Sequence, residues 1–126
     1  MGLVEQLGIE FGACSEEFVE ATMPADEDHL QPFGYLHGGA TIALLETVAS
    51  KGAEICCGPD EVPFGVDVHV AHRTSVKDGQ VIGEARLARE DETSKGYRRQ
   101  YWDVTARKPD GTIVSEGQII CLIIPR

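Results

Sequence analysis

The sequence has very little positive charge in its first half. Residues 1–72 contain 13 Asp and Glu but only one Lys or Arg, Lys51, whereas residues 73–126 contain 10 Lys and Arg and 8 Asp and Glu. The formal net charge is −10 at pH 7. An acidic chain of this kind is not expected to bind nucleic acid, which is recognised by basic surfaces. Any surface that binds a nucleotide is expected to lie mainly in the second half.

Long apolar runs and paired cysteine motifs are also missing. No stretch reaches the roughly 18 consecutive apolar residues that span a bilayer, and there is no signal-peptide pattern. The cysteines lack C-x-x-C spacing; they are Cys14, Cys56, Cys57 and Cys121. We therefore expect a cytoplasmic protein with no membrane partner and no metal site, in which the cysteines are small buried residues in a reducing compartment.

The order of the predicted elements indicates one α+β domain over residues 1–126. No repeat, low-complexity segment or interdomain linker interrupts the chain, which is long enough to bury a substantial core. A short helix at 3–7 and strands at 9–13 and 18–23 precede one long helix at about residues 38–56. Later strands are predicted at 64–72, 81–87, 98–106 and 113–124, with a polar hairpin loop at 90–96. One helix among antiparallel strands is typical of the α+β class.

The most informative stretch is residues 31–50, a loop that leads into the long helix. Pro32 and Gly34 indicate the loop, and His37 with the following two glycines stands where the helix begins. Within the helix, Glu46 has no charged residue three or four positions away, so the usual salt-bridging company of an exposed glutamate is absent. A solvated glutamate and a functional one remain equal alternatives at this point.

These residues also form a spaced set of motifs that can be compared with known families. The set consists of Gln31-Pro32-Phe33-Gly34, His37-Gly38-Gly39, Glu46 nine residues after the histidine, and Ser50 four residues later. It continues in Glu20-Ala21-Thr22-Met23-Pro24 and in Val70-Ala71-His72. The set resembles the hotdog-fold acyl-CoA thioesterases, specifically the aryl-CoA branch that includes 1,4-dihydroxy-2-naphthoyl-CoA hydrolases and 4-hydroxybenzoyl-CoA thioesterases.

The resemblance implies a fold, a substrate class and a set of site residues. It implies an antiparallel sheet wrapped around one long helix, an acyl-CoA substrate with no separate cofactor, and a homodimer with shared active sites, alone or as half of a tetramer. The implied catalytic residues are Glu46, His37, Gly38 and Gln31, and the implied substrate-binding residues are Gly39, Ser50, His72 and Arg98. The alternatives are a hotdog hydratase or dehydratase acting on acyl thioesters, and a non-catalytic acyl-CoA-binding module.

Thioester hydrolysis requires the kinds of group that this stretch contains. Attack on the carbonyl develops an oxyanion, which backbone N–H groups at a helix N-terminus can stabilise. Gly38 and Gly39 would let a thioester approach that backbone, or they only permit a tight turn. Gln31 and His37 can donate hydrogen bonds to the carbonyl or orient the acyl group. Glu46 would act either as the nucleophile or as the general base for water.

The remaining histidines and Ser50 have weaker patterns. Alternation in the strand at 64–72 predicts that Val66, Val68, Val70 and His72 share one face, so that His69 and His72 point apart and form no metal site. His72 ends this apolar row and is either a satisfied histidine or a site residue. His29 has no recognisable partner and is predicted to be exposed. Ser50 would hold the attacking water or the acyl ring, or it is an ordinary helix serine.

Helix geometry restricts how Gly38 and Glu46 can work together. They are eight residues apart, so a rise of 1.5 Å per residue separates them by ~12 Å along one helix. They cannot both contact the same carbonyl. If both act on one substrate, Glu46 must come from a second, antiparallel copy of the helix, and the site then lies across a two-fold dimer interface.

Overall fold

The computed structural model describes residues 2–126, which form six strands and two α-helices. The elements are α1 (Leu3–Gln6), β1 (Glu10–Cys14), β2 (Phe18–Pro24), a 3₁₀ turn (Glu27–His29), α2 (Gly38–Ile55), β3 (Glu61–His72), β4 (Gln80–Glu92), β5 (Arg98–Arg107) and β6 (Ile113–Pro125). The strands pair antiparallel in one sheet, in the order β1-β2-β4-β5-β6-β3. No helix within residues 2–126 is long and apolar enough to cross a membrane.

The core lies between α2 and the sheet. Leu44, Leu45 and Val48 are fully buried on α2, and they face a sheet surface that includes the fully buried Trp102 and Ile119. The helix begins at the predicted residue and ends one residue earlier than predicted, at Ile55. The predicted α+β arrangement with one long helix is therefore confirmed.

The hairpin between β4 and β5 is tighter than the sequence predicted. Strand β4 continues through Glu92, so the connection is residues 93–97 and not 90–96. The extension is stabilised across the ladder by Arg99, whose Nε donates to Oδ1 of Asp91 at 2.7 Å. This hydrogen bond from Arg99 and a further one from Tyr101 lower the pKa of Asp91 to about 2. Asp91, which the sequence placed in a polar loop, therefore belongs to β4 and forms a cross-strand ion pair with Arg99 of β5.

His29 is buried, so the prediction that it is exposed was wrong. Its Nδ1 lies 2.7 Å from Oδ1 of Asp26, and its Nε2 lies 2.6 Å from the carbonyl oxygen of Leu7. Its own carbonyl accepts a hydrogen bond from the N–H of His37, immediately before α2. His29 therefore joins α1 to the start of α2, through partners that are close only in the folded chain.

The cysteines and β1 are also more exposed than expected. All four cysteines are free, but only Cys121 is buried, whereas Cys14 is exposed and Cys56 and Cys57 are half-buried. Every residue of β1 is exposed, although the alternation of the sequence predicted a half-buried strand. Strand β1 lies at the outer edge of the sheet, where it pairs only with β2 among the described strands.

Strand β3 forms the opposite edge of the sheet and exposes apolar side chains. A β-bulge between Gly65 and Asp67 interrupts the alternation, so Val66 does not follow the face predicted from simple spacing. Phe64, Val66 and Val68 are 53%, 54% and 36% exposed. An uncovered edge strand with apolar side chains is a surface on which another strand can pair.

We expect Gly52→Ala to lower the free energy of unfolding by about 2 kcal/mol. A Cβ at position 52 would overlap the ring of Trp102, which is fully buried and cannot move aside. Overpacking costs up to ~3 kcal/mol, and the better helix propensity of Ala returns roughly 1 kcal/mol. Urea unfolding measures the change, with Gly58→Ala as control because only the flexible carboxylate of Glu61 lies near that site. Equal stability of Gly52→Ala and wild type would contradict this packing.

Candidate active site

The backbone N–H of Gly38 is an unpaired donor at the N-terminus of α2. His37 is the N-cap, and its Nδ1 accepts a hydrogen bond from the N–H of Gly39 at 2.8 Å. The N–H groups of Ala40 and Thr41 both donate to the carbonyl oxygen of His37. Among the first four N–H groups of α2, only that of Gly38 has no partner within residues 2–126. The helix dipole makes this N–H a favourable position for negative charge.

Gln31 lies beside this helix terminus, and the oxygen of its side-chain amide is already hydrogen-bonded. Its Oε1 accepts hydrogen bonds from the N–H groups of Phe33 at 2.5 Å and Tyr35 at 3.4 Å, which hold the loop in a tight turn. The turn also requires a positive φ of 90° at Gly34. The Nε2 of Gln31 has no protein partner in the described chain. Gln31 can therefore donate a hydrogen bond to a ligand without releasing the loop.

One cavity contains both of these donors. It has a volume of about 340 Å³ and is lined by Gln31, Gly38, Thr41, His72 and Arg73 with neighbouring loop residues. His72 reaches it from the end of β3, with Nε2 2.7 Å from the position that a Cβ on Gly38 would occupy. We call this space the Gly38 cavity. Three residues singled out by the sequence, Gln31, Gly38 and His72, thus meet in one place.

His37 is not part of the Gly38 cavity. Its imidazole caps α2 and borders a different pocket, together with Leu7, His29 and Ala40. Because Nδ1 accepts from Gly39, a neutral His37 carries its proton on Nε2. The structure therefore gives both His37 and the N–H of Gly39 a capping role, which the sequence analysis did not foresee.

Glu46 lies in a second cavity, further along the same helix. This cavity, called the Glu46 cavity here, has a volume of about 600 Å³ and is lined by Leu3, Phe11, Glu46, Ser50, Lys51 and Pro63 among others. None of the described residues lines both this cavity and the Gly38 cavity. Glu46 is half-buried, and its Oε2 lies 2.5 Å from the position that a Cβ on Gly65 of β3 would occupy. A residue larger than glycine at position 65 would displace the carboxylate.

Ser50 stands one turn after Glu46, in the same cavity. Its hydroxyl lies near the thiol of Cys121 on β6. Burial raises the pKa of Cys121 to about 11, and the negative charge of Glu46 adds to the increase while the Ser50 hydroxyl opposes it. The thiol is therefore neutral at physiological pH. Glu46, Ser50 and Cys121 form one small cluster between α2 and the sheet.

Arg98 is apart from both cavities. Its guanidinium donates to the carbonyl oxygen of Cys56 at the end of α2, to Glu61 and to Glu90, at 3.2–3.4 Å. Burial alone would lower its pKa, but the hydrogen bond and charge of Glu90, with the charge of Glu61, raise it. The structure thus uses Arg98 to stabilise the C-terminus of α2, and does not bring it to the other predicted site residues.

Three residues near the site had no clear signal in the sequence. Gly65 provides space for the Glu46 carboxylate, Thr41 lines the Gly38 cavity while almost fully buried, and the buried Ser115 contacts His72. All three depend on contacts between distant segments. Among residues 2–126, no group of three His, Cys, Asp or Glu side chains is arranged to hold a metal ion.

Comparison with known proteins places this geometry in a family. Residues 33–115 match the Thioesterase superfamily. The proofreading thioesterase EntH of Cronobacter turicensis is 35% identical over 109 residues, which cover 86% of this chain and 76% of that protein. The 1,4-dihydroxy-2-naphthoyl-CoA hydrolase of Escherichia coli is 29% identical over 122 residues, which cover 97% and 86%.

Solved structures agree with the sequence comparisons. A thioesterase from Haemophilus influenzae matches with a TM-score of 0.87 at 31% identity, covering 97% of this chain and 82% of that one. A Staphylococcus aureus thioesterase mutant matches with a TM-score of 0.90 at 27% identity, covering 98% of each chain. The six-stranded antiparallel sheet with its single long helix is thus the hotdog fold that the motifs predicted. The chain is a hotdog-fold enzyme of the thioesterase superfamily.

Proposed function

We propose that this protein hydrolyses the thioester of an acyl-CoA, prefers an aryl acyl group, and builds each active site from two subunits. The observation that carries the proposal is the unpaired N–H of Gly38 at the start of α2, with the Glu46 carboxylate further along the same helix. The first group can stabilise an oxyanion and the second can drive attack on a carbonyl. No cofactor beyond the CoA of the substrate is needed for this chemistry.

The thioester carbonyl would bind in the Gly38 cavity. The N–H of Gly38 and the Nε2 of Gln31 both lack partners among residues 2–126, so both can donate to a developing oxyanion. These donors are held in place before substrate binds, by the cap on α2 and by the turn after Gln31. Preorganised donors stabilise the transition state without a reorganisation cost.

Glu46 would act as the nucleophile, through a mixed anhydride, or as the general base for water. The absence of a side chain at Gly65 leaves space for the carboxylate, and the cavity beside it is open to a ligand. Ser50 lines the same cavity one helical turn after Glu46 and would orient a water or the acyl group there. Either role requires an ionised Glu46 close to the thioester carbon.

Within one chain, Gly38 and Glu46 are too far apart for a single carbonyl. The helix separates them by ~12 Å, and they line cavities that share no residue. A two-fold related copy of α2, running antiparallel, would place the Glu46 of one subunit opposite the Gly38 of the other. The same operation generates two equivalent sites per dimer.

The exposed edge of β3 is suited to form this dimer. Its apolar side chains Phe64, Val66 and Val68 are partly exposed, and its outer backbone pairs with no strand of the described residues. The same strand contacts α2 at both functional points, with Gly65 beside Glu46 and His72 beside Gly38. Antiparallel pairing of β3 with its copy around Val68 would bring the Gly65 end of one strand to the His72 end of the other. Two such dimers could further join as a tetramer.

Cations near the Gly38 cavity would bind the phosphates of CoA. Arg73 lines that cavity, and Lys77 and Lys108 line an adjoining cavity that shares Tyr35, Ser75 and Val76 with it. All three cations belong to the basic second half of the chain. The Glu46 cavity is instead bordered by apolar side chains such as Leu3 and Phe11, which suit an aryl group. Free cysteines are compatible with a cytoplasmic location, which remains part of the proposal.

Release of free CoA thiol distinguishes the proposed hydrolase from its alternatives. Purified protein is assayed with benzoyl-CoA and a medium-chain acyl-CoA. A hydratase or dehydratase would change the acyl chain while leaving the thioester intact, and a binding module would bind the substrate without turnover. Thiol release therefore supports hydrolysis, and its absence with both substrates would contradict it.

Glu46→Ala is expected to lower turnover by roughly 10² to 10⁴, since this is the usual contribution of a catalytic acid or base. The fold should persist, because the side chain is only half-buried and ends in an open cavity. Steady-state kinetics and thermal melting on the purified variant measure the two effects. Glu16→Ala, in the exposed turn between β1 and β2, is the control. Near-normal turnover of Glu46→Ala would remove this residue from the mechanism.

The aryl preference is tested by the ratio of kcat/KM for benzoyl-CoA and palmitoyl-CoA. We expect the aryl substrate to be hydrolysed more efficiently, because the motifs of the chain resemble those of the aryl-CoA branch and the Glu46 cavity is bordered by Leu3 and the ring of Phe11. A larger kcat/KM for the long saturated chain would place the enzyme in another substrate class.

Mixed dimers test the shared site. Glu46→Ala and Gly38→Pro are each expected to inactivate a homodimer, because proline removes the N–H and its ring would also push against His72. When the two variants are unfolded and refolded together, random pairing makes half of the dimers mixed. Each mixed dimer has one intact site, so about a quarter of wild-type activity should return.

Two controls make this result decisive. Native mass spectrometry establishes that mixed dimers have formed, and thermal melting establishes that Gly38→Pro is folded. If Gly38 and Glu46 served the same substrate within one subunit, every site would still carry a defect. With both controls satisfied, no recovery of activity would exclude a site shared between subunits.

A further inference from the structure

His72 is partly exposed to solvent, and its two ring nitrogens face two different elements of the fold. Nε2 lies against the start of α2, 2.7 Å from the position that a Cβ on Gly38 would occupy. Nδ1 lies 2.7 Å from Oγ of Ser115. The ring thus connects β6 to the N-terminus of α2, and Nε2 is the nitrogen next to the Gly38 cavity.

Ser115 is positioned to control this ring. It lies on β6 directly opposite His72 in the β3–β6 ladder, and opposite Ala106 of β5 on its other side. Its side chain is 0% exposed. Within residues 2–126 the only hydrogen bond of its hydroxyl is the one to Nδ1 of His72.

Burial decides the direction of this hydrogen bond. A buried hydroxyl proton without an acceptor costs roughly 1–3 kcal/mol, so the hydroxyl of Ser115 donates to Nδ1. Nδ1 is then an acceptor, and the neutral imidazole carries its proton on Nε2. In the opposite arrangement, the proton of Nδ1 would point at Ser115, and the Ser115 proton would have no partner among the described residues.

We infer that Ser115 is a positioning residue that fixes His72 as an Nε2–H donor toward the Gly38 cavity, beside the N–H of Gly38. This inference rests on the proposed function, in which the thioester carbonyl binds in that cavity. His72 then supplies a hydrogen bond to the bound thioester, and in this tautomer it has no lone pair on Nε2 to act as a base. The carboxylate of Glu46 is left as the group that drives attack.

A double-mutant cycle separates positioning from a general structural effect. We expect Ser115→Ala to lower kcat/KM for benzoyl-CoA about tenfold in the wild-type background, the size of one oriented hydrogen bond. In the His72→Ala background the same substitution should change kcat/KM by less than about twofold, because the ring that it positions is gone. Ser94→Ala, in the exposed β4–β5 turn, is the matched control and should have no effect in either background.

The tautomer gives a readout that does not depend on activity. Long-range ¹H–¹⁵N correlation spectra distinguish Nε2–H from Nδ1–H imidazoles, and the signal of His72 is identified by its loss in His72→Ala. We expect the Nε2–H form in the wild type and loss of that preference in Ser115→Ala. If Ser115→Ala melts too low to measure, Ser115→Cys keeps a side chain of similar size with a weaker donor and should show the same changes to a smaller degree.

The outcomes distinguish this inference from the function on which it rests. If the wild type releases thiol but Ser115→Ala lowers kcat/KM equally in both backgrounds, or not at all, the positioning role is wrong. An Nδ1–H signal for His72 in the wild type would also overturn it. If the wild type releases no thiol from any acyl-CoA, the proposed function fails and the role of His72 in hydrolysis fails with it.

Discussion

The close approach of α2 to the sheet is the constraint on which both the core and the candidate site depend. At four places in this packing, one partner is a glycine, and a Cβ there would overlap or crowd the side chain opposite. The pairs are Gly52 with Trp102, Gly83 with Leu44, Gly38 with His72 and Gly65 with Glu46. The first two pairs belong to the core, and the last two involve the candidate site residues His72 and Glu46. The packing that stabilises the fold is therefore also what orients the site.

The same constraint explains why the site is divided. Helix α2 presents an unpaired N–H at one end and a carboxylate two turns later, and β3 supports both points from the edge of the sheet. Neither end is a complete site, since an oxyanion donor needs an attacking group and a carboxylate needs a polarised carbonyl. The proposed pairing of β3 with a second copy would complete both ends at once. The proposed dimer would therefore account both for the exposed apolar edge of β3 and for the separation of Gly38 from Glu46.

The sequence was a good guide wherever function depends on local spacing. The bounds of α2, the meeting of Gln31 with the helix N-terminus and the division of Gly38 from Glu46 could all be predicted, because loops, helix starts and axial rise are local properties. It was a poor guide to side chains whose partners are distant in the chain. His29 is buried and lies within hydrogen-bonding distance of the carbonyl oxygen of Leu7. Arg98 donates hydrogen bonds to Glu61 and to the C-terminal end of α2. His37 caps α2 and does not line the Gly38 cavity.

By itself, then, the sequence determined the fold class and the family, and it indicated candidate site residues, of which Gln31, Gly38 and His72 line one cavity. They follow from periodicity, from turn residues and from a spaced set of motifs. All of these can be recognised in the sequence without knowledge of tertiary contacts. Only the tertiary structure decided which donors remain free, that Gly65 provides space for Glu46, and that a buried serine on β6 faces His72. The physical reason is that hydrogen bonds and steric limits between strands depend on sheet order and register. Sheet order and register bring together residues that are 40 or more positions apart in the chain, as in the pair of His72 and Ser115.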